Sequence, residues 1–522
     1  EGVEDIPGTA LHEGVDWNWE TFPEFLDAIE KKDFVMDLGF MIGHGPLRSY
    51  VMGYERCQSQ VDASEEEISK MSDIVTEAIE SGALGFSTSR TILHRDVHGV
   101  YVPGTEASSE EMKSLAFAID KAGEGTLEIV SDWLDKEIEM SWMREYVEKS
   151  DCGLTVLQTS GDAIKTILFC EEQFLKGKNV RPQFPGRNVG MMFGLESSLH
   201  PFIGHPSYRE IADLPLSERV KIMKDPAFKE KLLNEKPNFA SEIEKSMNEQ
   251  DSAKSQEEIK EAANLGLKLI SNYDTQFILG DPPNYEPGKE DSIAALAKSK
   301  NISELEVIYD EFLKNEGTNL VYACFTPYEN HKLDFVERAY GLKSSVAGGS
   351  DGGAHCGLIC DASMPTTNLS HWARDREAGK KIPIELIVRK QTKDTAETYG
   401  LFDRGEIKTG MLADLNIIDF EKLNVTHPKM VYDLPLGGRR LIQTSSGYLA
   451  TIKSGEVVYE AGEATGVLPG KLIRGKQTCE VKTEKERVPF VDRTFRLMSV
   501  KALKLLWNFR KSPFKTTVVS DD

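Results

Sequence analysis

The sequence predicts an α/β fold in which repeated βα units surround a parallel sheet and a smaller β-rich unit follows. Two observations carry this. From about residue 34 to 400, short apolar runs sized for buried strands alternate with segments of helical period, the pattern of a parallel sheet covered by helices. After Tyr399 the texture changes to short β-type segments punctuated by glycine, such as Leu415-Asn416-Ile417-Ile418-Asp419 and Glu456-Val457-Val458-Tyr459. At 522 residues the chain exceeds one small core, so one large domain with an appendage is expected.

Candidate strands lie at 34–42, 83–87, 127–131, 153–157, 189–195, 319–324 and 345–349. Between them the spacing predicts helices over 64–81, opened by the Ser64-x-x-Glu67 capping pattern, and over 108–122, opened at Ser108. Seven strands fall one short of a (β/α)8 TIM-like barrel, and a doubly wound sheet would read similarly. Residues 236–262 are densely charged and read as a solvated helical insertion. The expected division is 1–402 for the βα part, 403–475 for a small β domain and 476–522 for a basic tail. Within that tail Leu503-Lys504-Leu505-Leu506-Trp507 suggests a docked helix.

Charge narrows the function classes. With 85 acidic against 62 basic residues the net charge is −23, which repels polyanions and makes nucleic acid an unexpected partner. Seven scattered cysteines, an odd number, argue against a disulfide framework and for a reducing, cytoplasmic setting. No run of 18 apolar residues suggests a membrane span, and the first thirty positions do not read as a signal peptide. The chain begins with Glu1, which leaves open that it starts inside a longer product.

The candidate chemistry centres on Asp351. It directly follows the last predicted strand of the βα region, and barrel active sites sit at the carboxyl ends of strands. Gly352 and Gly353 then permit close backbone approach and positive φ. Asp-Gly-Gly is equally the sequence of an ordinary turn.

The run Ser350-Asp351-Gly352-Gly353-Ala354-His355-Cys356-Gly357, continuing to His371-Trp372-Ala373-Arg374-Asp375-Arg376 and Lys390-Gln391-Thr392, resembles the N-acyl-D-amino-acid deacylase (D-aminoacylase) branch of the amidohydrolase superfamily. So do Gly2-Val3-Glu4-Asp5-Ile6-Pro7-Gly8, Gly43-His44-Gly45-Pro46-Leu47-Arg48, Gly82 to Arg90, His200-Pro201-Phe202 with His205-Pro206-Ser207-Tyr208, and Gly405 to Ile418 with Asp433-Leu434-Pro435. The match runs from about residue 2 to 475.

The resemblance implies a (β/α)8 barrel, incomplete here at its amino-terminal side, with a small β-sandwich. It implies hydrolysis of linear amides of N-acyl-D-amino acids by a zinc-activated water, with Asp351 as general acid/base. The family's His-x-His pair and following Cys find no counterpart, and two further ligand histidines correspond to Ser131-Asp132 and Gln158-Thr159. Asp132 and His355 remain as metal candidates. The alternative reading is an inactive or truncated amidohydrolase-fold scaffold or ligand-binding protein.

A substrate carboxylate calls for a fixed cation, and Arg48 and Arg90 both follow predicted strand ends. His44 and His355 complete the expected substrate contacts. For His200 and His205 a cap or loop hydrogen bond is expected, and for His94 and His98 an exposed loop position. Cys356 and Cys360 are spaced like metal ligands but have no second pair. Open strand edges in an incomplete barrel predict self-association. The expected partner is a small N-acyl amino acid.

Overall fold

The structure, a computed structural model, describes residues 2–58, 61–133, 135–159, 164–239 and 253–479. The strands before residue 400 are β1 (Ile42–Gly43), β2 (Gly85–Arg90), β3 (Thr126–Ser131), β4 (Gly153–Leu157), β5 (Val180–Pro185), β6 (Val189–Phe193), β7 (Gln276–Ile278), β8 (Val321–Thr326) and β9 (Val346–Gly348). Six of them form one parallel sheet in the order β1-β2-β3-β4-β5-β9. Its register runs Phe86 to Leu127 to Leu154 to Val180, and Gln183 pairs with Val346.

Alternation along these strands decides what each face does. Phe86, Leu127, Ile129, Leu154 and Val156 turn one way and pack with Val75, Ile79, Met112, Leu115, Ile119, Met143 and Tyr146 of the covering helices, all essentially without solvent contact. On the other face Glu128 accepts from Gln183 Nε2 at 3.0 Å and from Tyr399 Oη at 3.0 Å. The covering helices begin as their sequences dictate. Glu65–Glu80 starts with the Ser64/Glu67 capping box, and Ser109–Ala122 starts with Ser108 Oγ accepting from Glu111 N at 3.2 Å and ends at Gly123 with φ 85°.

Three strand expectations change. Segment 34–42 contracts to Ile42–Gly43, while Phe34 and Leu38 bridge instead to Gly470 and Leu472. Segments 189–195 and 319–324 are strands, but β6 and β8 pair antiparallel with each other and β7 joins β8, making a separate three-stranded sheet. It builds a second apolar core with Phe193, Phe202, Tyr208, Ile308, Phe312 and Val321. β5 does not read as an apolar run because it carries Arg181 and two prolines, although all six of its residues are buried.

Only part of the charged stretch falls within the described residues. Residues 240–252 lie outside the described part, but the helix Ala253–Ser271 that follows is packed on one side: Glu258 and Ile259 are buried, and Arg95 Nη1 donates to Glu258 O at 2.7 Å. Beyond residue 410 short antiparallel sheets dominate. Leu415–Ile418, Tyr448–Lys453, Glu456–Glu460 and Glu463–Ala464 form one, and Lys429–Leu434 pairs with Gly438–Ile442 in another. Residues 480–522, with the expected tail helix, lie outside the described residues. Among the described residues no helix is long and apolar enough to cross a membrane.

Candidate active site

The carboxyl ends of the parallel strands collect the polar side chains. Arg90 ends β2, Asp132 follows β3, Gln158 follows β4, Arg187 follows β5 and Asp351 follows β9. Asp351 has φ 40° and His355 φ 51°, left-handed conformations that Asp and His tolerate better than most residues but which still need support from their surroundings. His355 Nε2 lies 3.9 Å from Asp351 Oδ2 and 3.9 Å from Glu4 Oε2. The amino-terminal residues belong to this mouth: Cys356 N donates to Glu4 O at 2.9 Å, and Ser198 Oγ bonds to Asp5.

His94 completes the group. Its Nδ1 is 2.7 Å from Ser89 Oγ. Burial, and then the neighbouring His355, hold its pKa below the usual histidine value against the pull of Glu4, Asp132 and Asp351. The loop position expected for His94 is therefore half-buried and faces the mouth, whereas His98 is exposed.

His44, Arg48 and Arg90 form a wall behind this mouth. His44 Nε2 and Arg48 Nε both reach Glu111 Oε1 at 2.8 Å, and all three residues are buried. Burial pushes the His44 pKa down, while His44 and Arg48 hold Glu111 ionised although burial opposes it. A neutral ring beside a carboxylate must donate from Nε2, so Nδ1 accepts from Thr88 Oγ1 at 2.8 Å. Gly104 covers the imidazole so closely that a Cβ there would come within 2.6 Å of Nδ1. Arg90 is bound by Glu139 Oε1 at 2.7 Å and by the carbonyls of Gly104 and Ala107. Arg48 thus sits in a fully buried ion pair and Arg90 in a partly buried one.

The zinc ion implied by the resemblance needs three or four donors. Both Asp132 oxygens already accept hydrogen bonds, Oδ1 from Thr91 Oγ1 and Oδ2 from Ile92 N, each at 2.7 Å. Gln158 is buried with its amide unpartnered. Burial raises the pKa of Cys356, and pushes that of Cys360 up to about 12, which disfavours the thiolates a metal would bind. Among the described residues no three His, Cys, Asp or Glu side chains are placed to hold a metal. This donor set does not fit zinc.

Other motif residues do structural work. His200 is buried between Tyr208 and Phe312 and accepts from Phe202 N at 3.2 Å, while the buried His205 ring has neither nitrogen partnered. His371 and Arg376 of the His371–Arg376 motif converge on Glu286. Sequence reading did not single out Glu4, Arg187, Asp361 or Glu286. Glu4 lies inside a quoted motif, but nothing local in the sequence marks the other three as partners of residues far along the chain.

Residues 337–459 match the profile of the amidohydrolase family. An uncharacterised protein of Mycobacterium tuberculosis is 24% identical over 476 residues, covering 86% of this chain and 72% of the relative. The D-aminoacylase of Alcaligenes xylosoxydans xylosoxydans is 25% identical over 417 residues, covering 79% of this chain and 67% of that protein. A crystal structure of D-aminoacylase superposes with a TM-score of 0.50 at 18% identity, covering 91% of this chain and 79% of that one. N-acyl-D-glutamate deacylase from Bordetella bronchiseptica, solved with zinc and a phosphonate inhibitor, gives 0.50 at 16% identity, with 90% and 79% covered. Residues 337–459 thus carry the amidohydrolase family profile, and over most of its length the chain is similar in sequence and in fold to D-aminoacylases.

Proposed function

We propose that this chain hydrolyses the amide bond of N-acyl-D-amino acids, with Asp351 as general acid/base. The observation that carries the reading is Asp351 itself: an aspartate at the carboxyl end of β9, half-exposed, with His355 Nε2 3.9 Å away. In this reading the Asp351 carboxylate takes a proton from the attacking water as the water oxygen bonds to the acyl carbon. It returns that proton to the amine nitrogen as the C–N bond breaks. His355 contacts the substrate from the same loop. His44, Arg48 and Arg90 support the mouth from behind, since Glu111 and Glu139 engage their polar groups. Because the described residues do not fit zinc, no step is drawn through a metal. Two further readings go with the function: a (β/α)8 barrel as the parent architecture, and a small β-sandwich domain over 403–475.

The test is release of free amino acid from a panel of N-acyl D- and L-amino acids, with Asp351→Asn as the control. The expected result is activity confined to D-substrates and lowered about 10²- to 10⁴-fold by Asp351→Asn. Activity unchanged in the variant would remove Asp351 from the mechanism. No activity on any substrate would favour a ligand-binding scaffold.

A further inference from the structure

We infer that Arg187 is a positioning residue that pins the loop carrying Asp351 and His355, an inference that rests on the reading of that loop as the reacting centre. β5 and β9 are neighbours in the sheet, so Arg187 at the end of one faces the loop that leaves the other. Its guanidinium is wholly buried. Nη2 shares its two N–H groups among Cys360 O at 2.9 Å, Asp361 Oδ1 at 3.1 Å and Ser363 Oγ at 3.3 Å, all at the far base of the loop. The guanidinium carbon stacks 3.5 Å from the ring centre of Tyr285.

The need for such a clamp is in the backbone. Asp351 and His355 are both left-handed, and such residues persist only where the surrounding structure fixes them. The middle of the loop is stitched by Cys356 N to Glu4 O at 2.9 Å and Met192 N to Leu358 O at 2.7 Å. Those bonds fix the crown, and Arg187 fixes the base. All three bonds leave the one nitrogen Nη2 while the flat guanidinium stacks on Tyr285; a lysine would keep the charge but lose the stacking. Arg187 touches neither Asp351 nor His355, so its effect on them runs through the loop.

The experiment uses the full chain with Arg187→Met and Arg187→Lys, read by hydrogen exchange and by steady-state hydrolysis of N-acyl-D-amino acids. In Arg187→Met, amides of residues 350–360 are expected to exchange about tenfold faster while those of 65–80 keep their rate. kcat should fall about 100-fold with KM within about threefold, because misplacing a reacting group costs rate more than binding. Arg187→Lys should recover part of both. Unchanged exchange at 350–360, or KM rising with kcat intact, would overturn the inference. So would exchange rising equally at 65–80, which marks a general loss of stability. Should Arg187→Met fail to fold, Arg187→Lys alone decides on the same exchange criterion. If the wild-type chain hydrolyses nothing, the reading of Asp351 fails, and exchange still decides whether Arg187 pins the loop.

Discussion

Arg376 grips Glu286 through two parallel bonds, Nε to Oε2 at 2.9 Å and Nη2 to Oε1 at 3.0 Å, with both side chains out of contact with solvent. His371 Nε2 adds a third contact at 2.9 Å, Leu333 N a fourth at 3.0 Å, and the guanidinium lies 4.3 Å over the Trp372 ring. One carboxylate therefore gathers both ends of the His371–Arg376 motif.

Burial opposes ionisation of Glu286, but the bonds from His371, Arg376 and Leu333 outweigh it and hold its pKa down at about 2, against an ordinary 4.5. A depressed carboxylate pKa adds stability that is complete above the unfolded value and lost as pH falls through the folded one. Acid unfolding should therefore steepen between about pH 4.5 and pH 2, and Glu286→Gln should flatten that window. Arg376→Ala, which leaves a buried charge unpaired, should cost about 3–5 kcal/mol in urea unfolding at pH 7. A loss under about 1 kcal/mol would mean that water replaces the guanidinium.

Glu111 holds His44 and Arg48 together, and Glu139 holds Arg90. Glu111→Ala is expected to destabilise the chain by about 3–5 kcal/mol by stranding a buried guanidinium. Arg48→Met and Arg90→Met should act in the same way, with KM for an N-acyl amino acid little changed. A KM rise of tenfold in either arginine variant, at unchanged urea midpoint, would instead make that arginine a carboxylate contact.

His200 is held neutral by burial, which pushes its pKa down to about 3 from an ordinary 6.5. Its stabilising contribution is complete above pH 6.5 and lost as pH falls towards 3, because the unfolded chain takes up the proton first. His200→Phe should fill the same aromatic site beside Tyr208 and Phe312, lose about 1 kcal/mol with the bond from Phe202 N, and flatten stability between pH 6.5 and 3. An identical pH slope in variant and wild type would show that the ring takes up its proton as readily in the folded chain as in the unfolded one.

Zinc should bind weakly at the mouth, because among the described residues no three donors converge there and each Asp132 oxygen already accepts a bond, from Thr91 and from Ile92. Titration calorimetry is expected to give no stoichiometric heat at micromolar zinc. Stoichiometric binding abolished by Asp132→Asn would show that those bonds yield to metal.

What the sequence disclosed follows from how local each signal is. The 64–81 helix was legible because its cap and apolar stripe lie within one segment, and β2 to β4 because their apolar runs are short and bounded. β5 was hidden by Arg181, Pro182 and Pro185, whose burial depends on neighbours that the run itself does not name. Asp351 stood out through its strand and its glycines. Its neighbours Glu4 and His94 did not, because only folding brings residues so far apart to one mouth. Arg48 and Arg90 read as candidate carboxylate contacts because nothing in the sequence ties them to Glu111 and Glu139.

The pairing of Gln183 with Val346 bears on how the chain comes into being. On the ribosome, β1 to β5 can assemble as each emerges, but β5 must wait with an unpaired edge while the whole β6–β8 unit is made and folded. Only then does β9 arrive, bringing Asp351 with it. The mouth thus forms only after the β6–β8 unit, and until then the growing chain carries an open strand edge that can recruit another chain.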